Sequence, residues 1–168
     1  MTRPQTLDDL LLSRLSRLQA SAGGIVVRYC EGRFGITRRE WRILAVLAAY
    51  GEAGSSELAR QAELDRPRTS RAISALEAKK LVARTSARGD ARHVSVALTQ
   101  EGERLYRELF PVVSGINLQI LEVLSQDEVL LLENMLARMR ARADELAARE
   151  DLPLADRRHG GSQRHLRP

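Results

Sequence analysis

The sequence predicts a mostly α-helical fold carrying one small β-hairpin, and three observations support that class. Apolar residues recur at three- and four-residue steps along most of the chain. The period drops to two between Val82 and Leu98, where Val94, Val96 and Leu98 alternate with polar or small residues. Helix-capping residues stand between the periodic runs. The 168 residues fit one domain with an extension or two, and a hydrophobic share of 43% supplies a core. Aromatics are only 4%; the apolar residues are mostly Leu, Ala and Val, which suits packed helices.

The elements follow in order. Leu7, Leu11, Leu15, Leu18, Ala22, Ile25 and Tyr29 form one stripe of a first helix. Gly23 and Gly24 inside it cost roughly 1 kcal/mol each against alanine, which predicts a bend or a close approach by another backbone or a ligand. Thr37 with Glu40 is a capping box opening a second helix through Tyr50. Ser55 caps a short third helix after the break at "YGEAGSS", and Asp65 caps a fourth, with Pro67 in its first turn, reaching about Lys80. Val82 heads the first strand of the hairpin, and Gly89-Asp90 supports its tight turn. Thr99 caps a fifth helix from Gln100 to about Leu124, with a kink or break expected at Pro111 and Gly115. Ser125 and Glu128 form a second capping box, opening a long helix that ends near Glu150. Residues 151–168 have no period and read as a disordered basic tail.

Composition excludes several function classes. The N-terminus has neither a long apolar core nor a small-residue cleavage site, and no run is long enough to span a bilayer, so a soluble cytoplasmic chain with no membrane partner is expected. Cys30 stands alone, which removes an intramolecular disulfide framework and a cysteine zinc cluster. His93, His159 and His165 are isolated; no metal site and no cofactor are implied. No nucleophile–base or acid pair stands at useful spacing, so an enzyme is disfavoured. Arg88-Gly89-Asp90 spells an integrin-type tripeptide, but an extracellular module of this size would need disulfide staples. Charge points elsewhere: residues 66–92 hold 8 basic and 2 acidic side chains, more positive than the +5 of the whole chain. Such a focused stripe is the footprint of a phosphate-backbone binder.

Two short helices joined by "LDRP" read as a helix-turn-helix whose second helix enters a major groove. On its wheel Thr69, Ala72, Ile73, Leu76 and Lys80 share the inward side, with the Lys80 tip excepted. Pro67, Ser70, Arg71, Ser74 and Ala78 lie opposite, and Arg68 projects from the flank. Arg71 has the fork to read guanine, and Thr69, Ser70 and Ser74 can contact bases or phosphates. The hairpin is then a wing whose Arg84, Arg88 and Arg92 reach phosphates or a narrow minor groove, while Asp90 braces Arg92 or Arg88. A winged helix used only for protein–protein contacts would present an apolar face instead.

The stretch "SSELARQAELDRPRTSRAISALEAKKLVARTSARGDARHVSVALTQEG" resembles the winged helix-turn-helix of the multiple antibiotic resistance regulator (MarR) family. The resemblance rests on the ELA of the first short helix, the SRAISALEAKKLV of the second, Asp90-x-Arg92 and Leu98-Thr99-x-x-Gly102, and runs from about Leu7 to Glu150. It implies a single domain over 7–150, with dimerisation helices at 7–30 and 100–150 flanking a winged helix-turn-helix at 37–98. It further implies a homodimer on a pseudo-palindromic duplex operator, a repressor released by a small ligand, and no catalytic residues. By carry-over Ser70 and Arg71 contact bases and phosphates, Arg92 enters the minor groove and Asp90 buttresses it. For the ligand, Arg14 falls within the first helix's apolar stripe, with Arg17 at its edge. A buried guanidinium there would suit an aromatic carboxylate, or an intersubunit bridge to an acid such as Glu145. Tyr29, Trp41 and Arg42 complete the candidate effector pocket, Trp41 being equally a core residue. Cys30 offers a thiol-based redox sensor as the alternative, although peroxide-sensing family members carry their cysteine nearer the start of that helix.

Overall fold

Asp9 delays the first helix. Its carboxylate accepts the backbone N–H groups of Gln5 and Thr6 and the Thr6 hydroxyl at 2.9–3.0 Å. These bonds close one 3-10 turn over Leu7–Asp9, leave Leu10 extended, and hold the Asp9 carboxyl below its ordinary pKa. The computed structural model, which describes residues 3–86 and 94–149, therefore starts α1 at Leu11 and carries it unbroken to Gly32. The glycine pair produces no break. Gly23 instead admits the Arg38 side chain: a Cβ there would fall 2.4 Å from an Arg38 Nη, whereas one on Gly24 would meet nothing.

Helix α2 (Arg38–Tyr50) opens on the expected box, Thr37 Oγ1 accepting from Glu40 N–H at 3.2 Å and Glu40 accepting from Thr37 N–H at 2.6 Å. After Gly51, at φ 82°, Ala53–Gly54 form a short strand β1 opposite Val96 and Ser95. Two residues carry no periodicity, so this strand was not expected. Its pairing keeps the chain extended through Gly54, which becomes the N-cap of α3 (Ser55–Gln61) in place of Ser55. Helix α4 (Arg66–Ala78) starts as predicted, Asp65 Oδ1 accepting from Arg68 N–H at 2.7 Å. It stops before Lys80, which turns left-handed at φ 58° while Leu81 N–H closes onto Leu76 O at 2.9 Å.

Strands β2 (Val82–Ser86) and β3 (Val94–Leu98) pair antiparallel with Val82 opposite Leu98 and Ser86 opposite Val94, in a sheet of order β1-β3-β2. The hairpin turn with Arg88, Gly89, Asp90 and Arg92 lies outside the described residues, as does the 151–168 tail. Helix α5 (Gln100–Leu121) passes unbroken through Pro111 and Gly115. Pro111 and Arg107 are both exposed, so water can satisfy the Arg107 carbonyl that proline deprives of its donor. Helix α6 (Gln126–Ala147) opens on the Ser125–Glu128 box, with bonds of 2.7 and 3.3 Å, and ends short of Glu150.

The chain divides into two compact units, Met1–Glu122 and Val123–Pro168. In the first, Ile43 and Leu44 of α2, Leu58 of α3, Ile73 and Leu76 of α4, Val82 and Val96 of the sheet and Leu109 of α5 are the fully buried core. In the second, α6 contributes no buried residue. Among the described residues no single helix is long and apolar enough to cross a membrane.

Candidate nucleic-acid interface

Helix α4 buries Thr69, Ala72, Ile73 and Leu76 and exposes Arg68, Ser70, Arg71 and Ser74. The inward side belongs to the core, so the outward side is held at a set pitch with only small polar groups and guanidinium forks on it. That is the surface a groove accepts. Thr69 must be struck from the contact set. It is 1% exposed and its hydroxyl donates to Asp65 O at 2.9 Å, so no base or phosphate can reach it. Arg71 donates Nε to Pro67 O at 3.2 Å, which lays the stem along the helix and leaves both terminal nitrogens free. Arg68 is ion-paired with Asp65 at 3.3 Å.

Two joints hold the C-terminal end of α4. Lys79 Nζ donates to Gly35 O and to Glu40 Oε2, each at 2.8 Å, and the Glu40 side chain is 4% exposed. The sequence marks Glu40 only as half of a capping box; its second partner is 39 residues away. Beyond the helix, Thr99 Oγ1 donates to Lys80 O at 2.7 Å and Thr99 N–H to Leu81 O at 3.1 Å. Gly102 lies so close that a Cβ would sit 2.0 Å from Leu81 O. The Leu98-Thr99-x-x-Gly102 pattern is thus a weld between α5 and the turn that ends α4. In the wing, Arg84 is engaged by Glu77 at 3.1 Å, and the facing hydroxyls of Thr85 and Ser95, 2.8 Å apart, share the Glu52 carboxylate.

A recess of about 400 Å³ between α2 and α4 is lined by Thr37, Arg39, Glu40, Arg68, Arg71 and Ala72. A second cavity, about 440 Å³, lies between α2, β3 and α5, where Leu47, Leu98 and Tyr106 face Glu52, Glu103 and Arg107. Neither holds any of the five residues predicted for an effector pocket. Arg14 is exposed, contrary to the expectation of burial, because Leu11, Leu18 and Ile25 of its stripe are themselves uncovered in the single chain. Arg17 pairs with Asp8, and Arg42 with Glu63 at 3.2 Å. Tyr29 is 40% exposed. Trp41 is a core residue, stacked on Tyr106 at 5.6 Å, with Phe110 next at 5.3 Å. The sequence reading missed Tyr106 and Arg107, whose joint position becomes visible only once α5 is laid against α2. Cys30 is fully buried, and that burial pushes its thiol pKa up, with Glu31 adding to the shift. No group of metal-ligating side chains occurs among the described residues.

Comparison with known proteins agrees with this geometry. The MarR family model matches residues 34–93, from before α2 into the wing. The chain is 38% identical over 104 residues to the HTH-type transcriptional regulator FarR of Neisseria gonorrhoeae, covering 62% of this chain and 71% of that protein. It is 28% identical over 142 residues to the HTH-type transcriptional repressor MdtR of Bacillus subtilis, covering 83% and 89% respectively. The crystal structure of NadR in complex with 4-hydroxyphenylacetate superposes with a TM-score of 0.66 at 33% identity, over 79% of this chain and 98% of that one. A helix-turn-helix with a polar, guanidinium-bearing second helix, a β-wing and these relatives lead to one conclusion: the chain is a transcriptional regulator of the MarR family.

Proposed function

We propose that the chain is a cytoplasmic, homodimeric repressor that reads a pseudo-palindromic operator and is released by a small aromatic acid. The observation that carries the DNA-reading part is the division of α4 into a buried apolar side and an exposed side of Arg68, Ser70, Arg71 and Ser74. Arg71 acts as the base reader, with its free fork aimed outward from an anchored stem. Arg88, Asp90 and Arg92 complete the contact set from the wing. The dimer is supported by the uncovered apolar residues of α1 and α6, and repression by the likeness to MdtR. The effector class is supported by the likeness to a regulator that binds 4-hydroxyphenylacetate. The Tyr106–Arg107 cavity offers such an acid a ring face and a guanidinium, which the Trp41 and Arg42 positions, already engaged by Tyr106 and Glu63, do not. Nothing in the reading calls for catalysis.

The test begins by selecting an operator from a random duplex pool. Arg71→Ala should weaken the selected duplex by about ten- to a hundredfold, the discrimination of one bidentate base contact, with the dimer intact by sedimentation. Unchanged affinity would remove Arg71 from the interface. A panel of aromatic acids should release the duplex from wild type, with Arg107→Ala and Arg14→Ala separating the two candidate anchors. Release that both variants retain would sink the anchoring scheme.

A further inference from the structure

The recess between α2 and α4 has a wall that the recognition helix does not supply. Arg39 stands in the first turn of α2, exposed, and has neither an acid nor a carbonyl partner. Across the recess Arg71 is bound only to Pro67 O, while Arg68 shares its charge with Asp65. One carboxylate also lines the space. Glu40, however, is turned inward, 4% exposed, and its Oε2 is taken by the Thr37 N–H and by Lys79 Nζ, which offsets its charge. The helix end adds little on its own account, since Thr37 Oγ1 already receives the Glu40 N–H. What remains is a concave site presenting two uncommitted guanidiniums, a geometry matched to phosphate oxygens.

We propose that this recess seats a phosphate group of the DNA backbone, and that Arg39 is a backbone-contacting residue outside the recognition helix. The inference rests on the reading of the chain as a duplex-DNA binder. A free phosphate ion has the same chemistry. The DNA backbone is favoured because one wall of the recess is the same stretch of α4 that exposes Ser70, Arg71 and Ser74. Contacts of this kind fix the register of a protein on the duplex without reading sequence.

Because the contact is sequence-independent, an arbitrary duplex suffices as probe. Anisotropy titrations of a labelled random-sequence duplex over a range of KCl give the slope of log affinity against log salt. Arg39→Gln should flatten that slope by about 0.9, the loss of one phosphate contact, and weaken all sequences alike. Arg104→Gln on α5 removes the same charge and should leave the slope unaltered. Thermal melting should be the same for Arg39→Gln and wild type, since Arg39 is exposed and unpartnered. A wild-type slope in Arg39→Gln overturns the seat. So does a saturable shift of the Thr37–Glu40 amide resonances on titration with inorganic phosphate that Arg39→Gln abolishes, which assigns the recess to the free ion. Wild-type protein with no salt-dependent duplex binding overturns the parent reading as well, and is thereby distinguished from failure of the seat alone.

Discussion

Helices α4 and α6 use their apolar residues in opposite ways. In the 13 residues of α4, Ala72, Ile73 and Leu76 are buried within the chain, and what is left outside is polar. In the 22 residues of α6 nothing is buried, and Leu130, Leu131, Met135 and Leu136 stand 39–57% exposed. Local interactions keep α6 helical: the Ser125–Glu128 box, which lowers the Glu128 pKa, and the Arg142–Glu145 and Arg140–Asp144 pairs. Exposed pairs of that kind contribute only a few tenths of a kcal/mol each. An apolar helix face left without cover is a surface for association. The difference teaches that the DNA-reading lobe is complete within one chain, whereas α6 is an element awaiting another.

The sharpest way to break this comparison is to truncate one leucine in each helix. Leu76→Ala, at a position with 0% exposure, should cost about 3 kcal/mol in urea unfolding. Leu131→Ala should cost under about 0.5 kcal/mol in dilute protein yet weaken self-association in sedimentation. Equal costs would mean that α6 is covered within its own chain. Glycines give a smaller contrast of opposite sign. Gly102→Ala forces a Cβ against Leu81 O and should destabilise by about 2 kcal/mol. Gly24→Ala meets nothing and should stabilise α1 by roughly 0.5–1 kcal/mol. A neutral Gly102→Ala would show that the weld at the end of α4 yields. The smallest effect concerns Cys30. Its thiol pKa is raised on folding, so the associated stability is present below the ordinary value of 9.0 and falls as pH rises above it. Native Cys30 should react with a disulfide reagent far more slowly than the urea-unfolded chain, and equal rates would revive the redox sensor.

Features that depend on neighbouring residues were legible in the sequence. Both capping boxes, the Asp65 cap with Pro67 behind it, and the inward set Thr69, Ala72, Ile73 and Leu76 were read from spacing, because a helix repeats its own geometry every few residues. Features joining distant residues were not. Nothing near Lys79 announces Gly35 or Glu40, and nothing near Ala53 announces Val96. The effector set shows the same limit. Trp41, Arg42 and Arg17 were grouped by residue type, yet each is committed to a different neighbour, Tyr106, Glu63 and Asp8.

By itself the sequence determined the helical class, the helix-turn-helix, the basic stripe and the choice of Arg71 over its apolar neighbours, since these follow from periodicity, capping and charge along a short stretch. Only the tertiary structure decided that Thr69 is withheld from DNA, that Arg14 is uncovered in the single chain, and that Arg39 joins Arg71 around one recess. Burial and the pairing of charges depend on which elements pack together, and no local pattern encodes that.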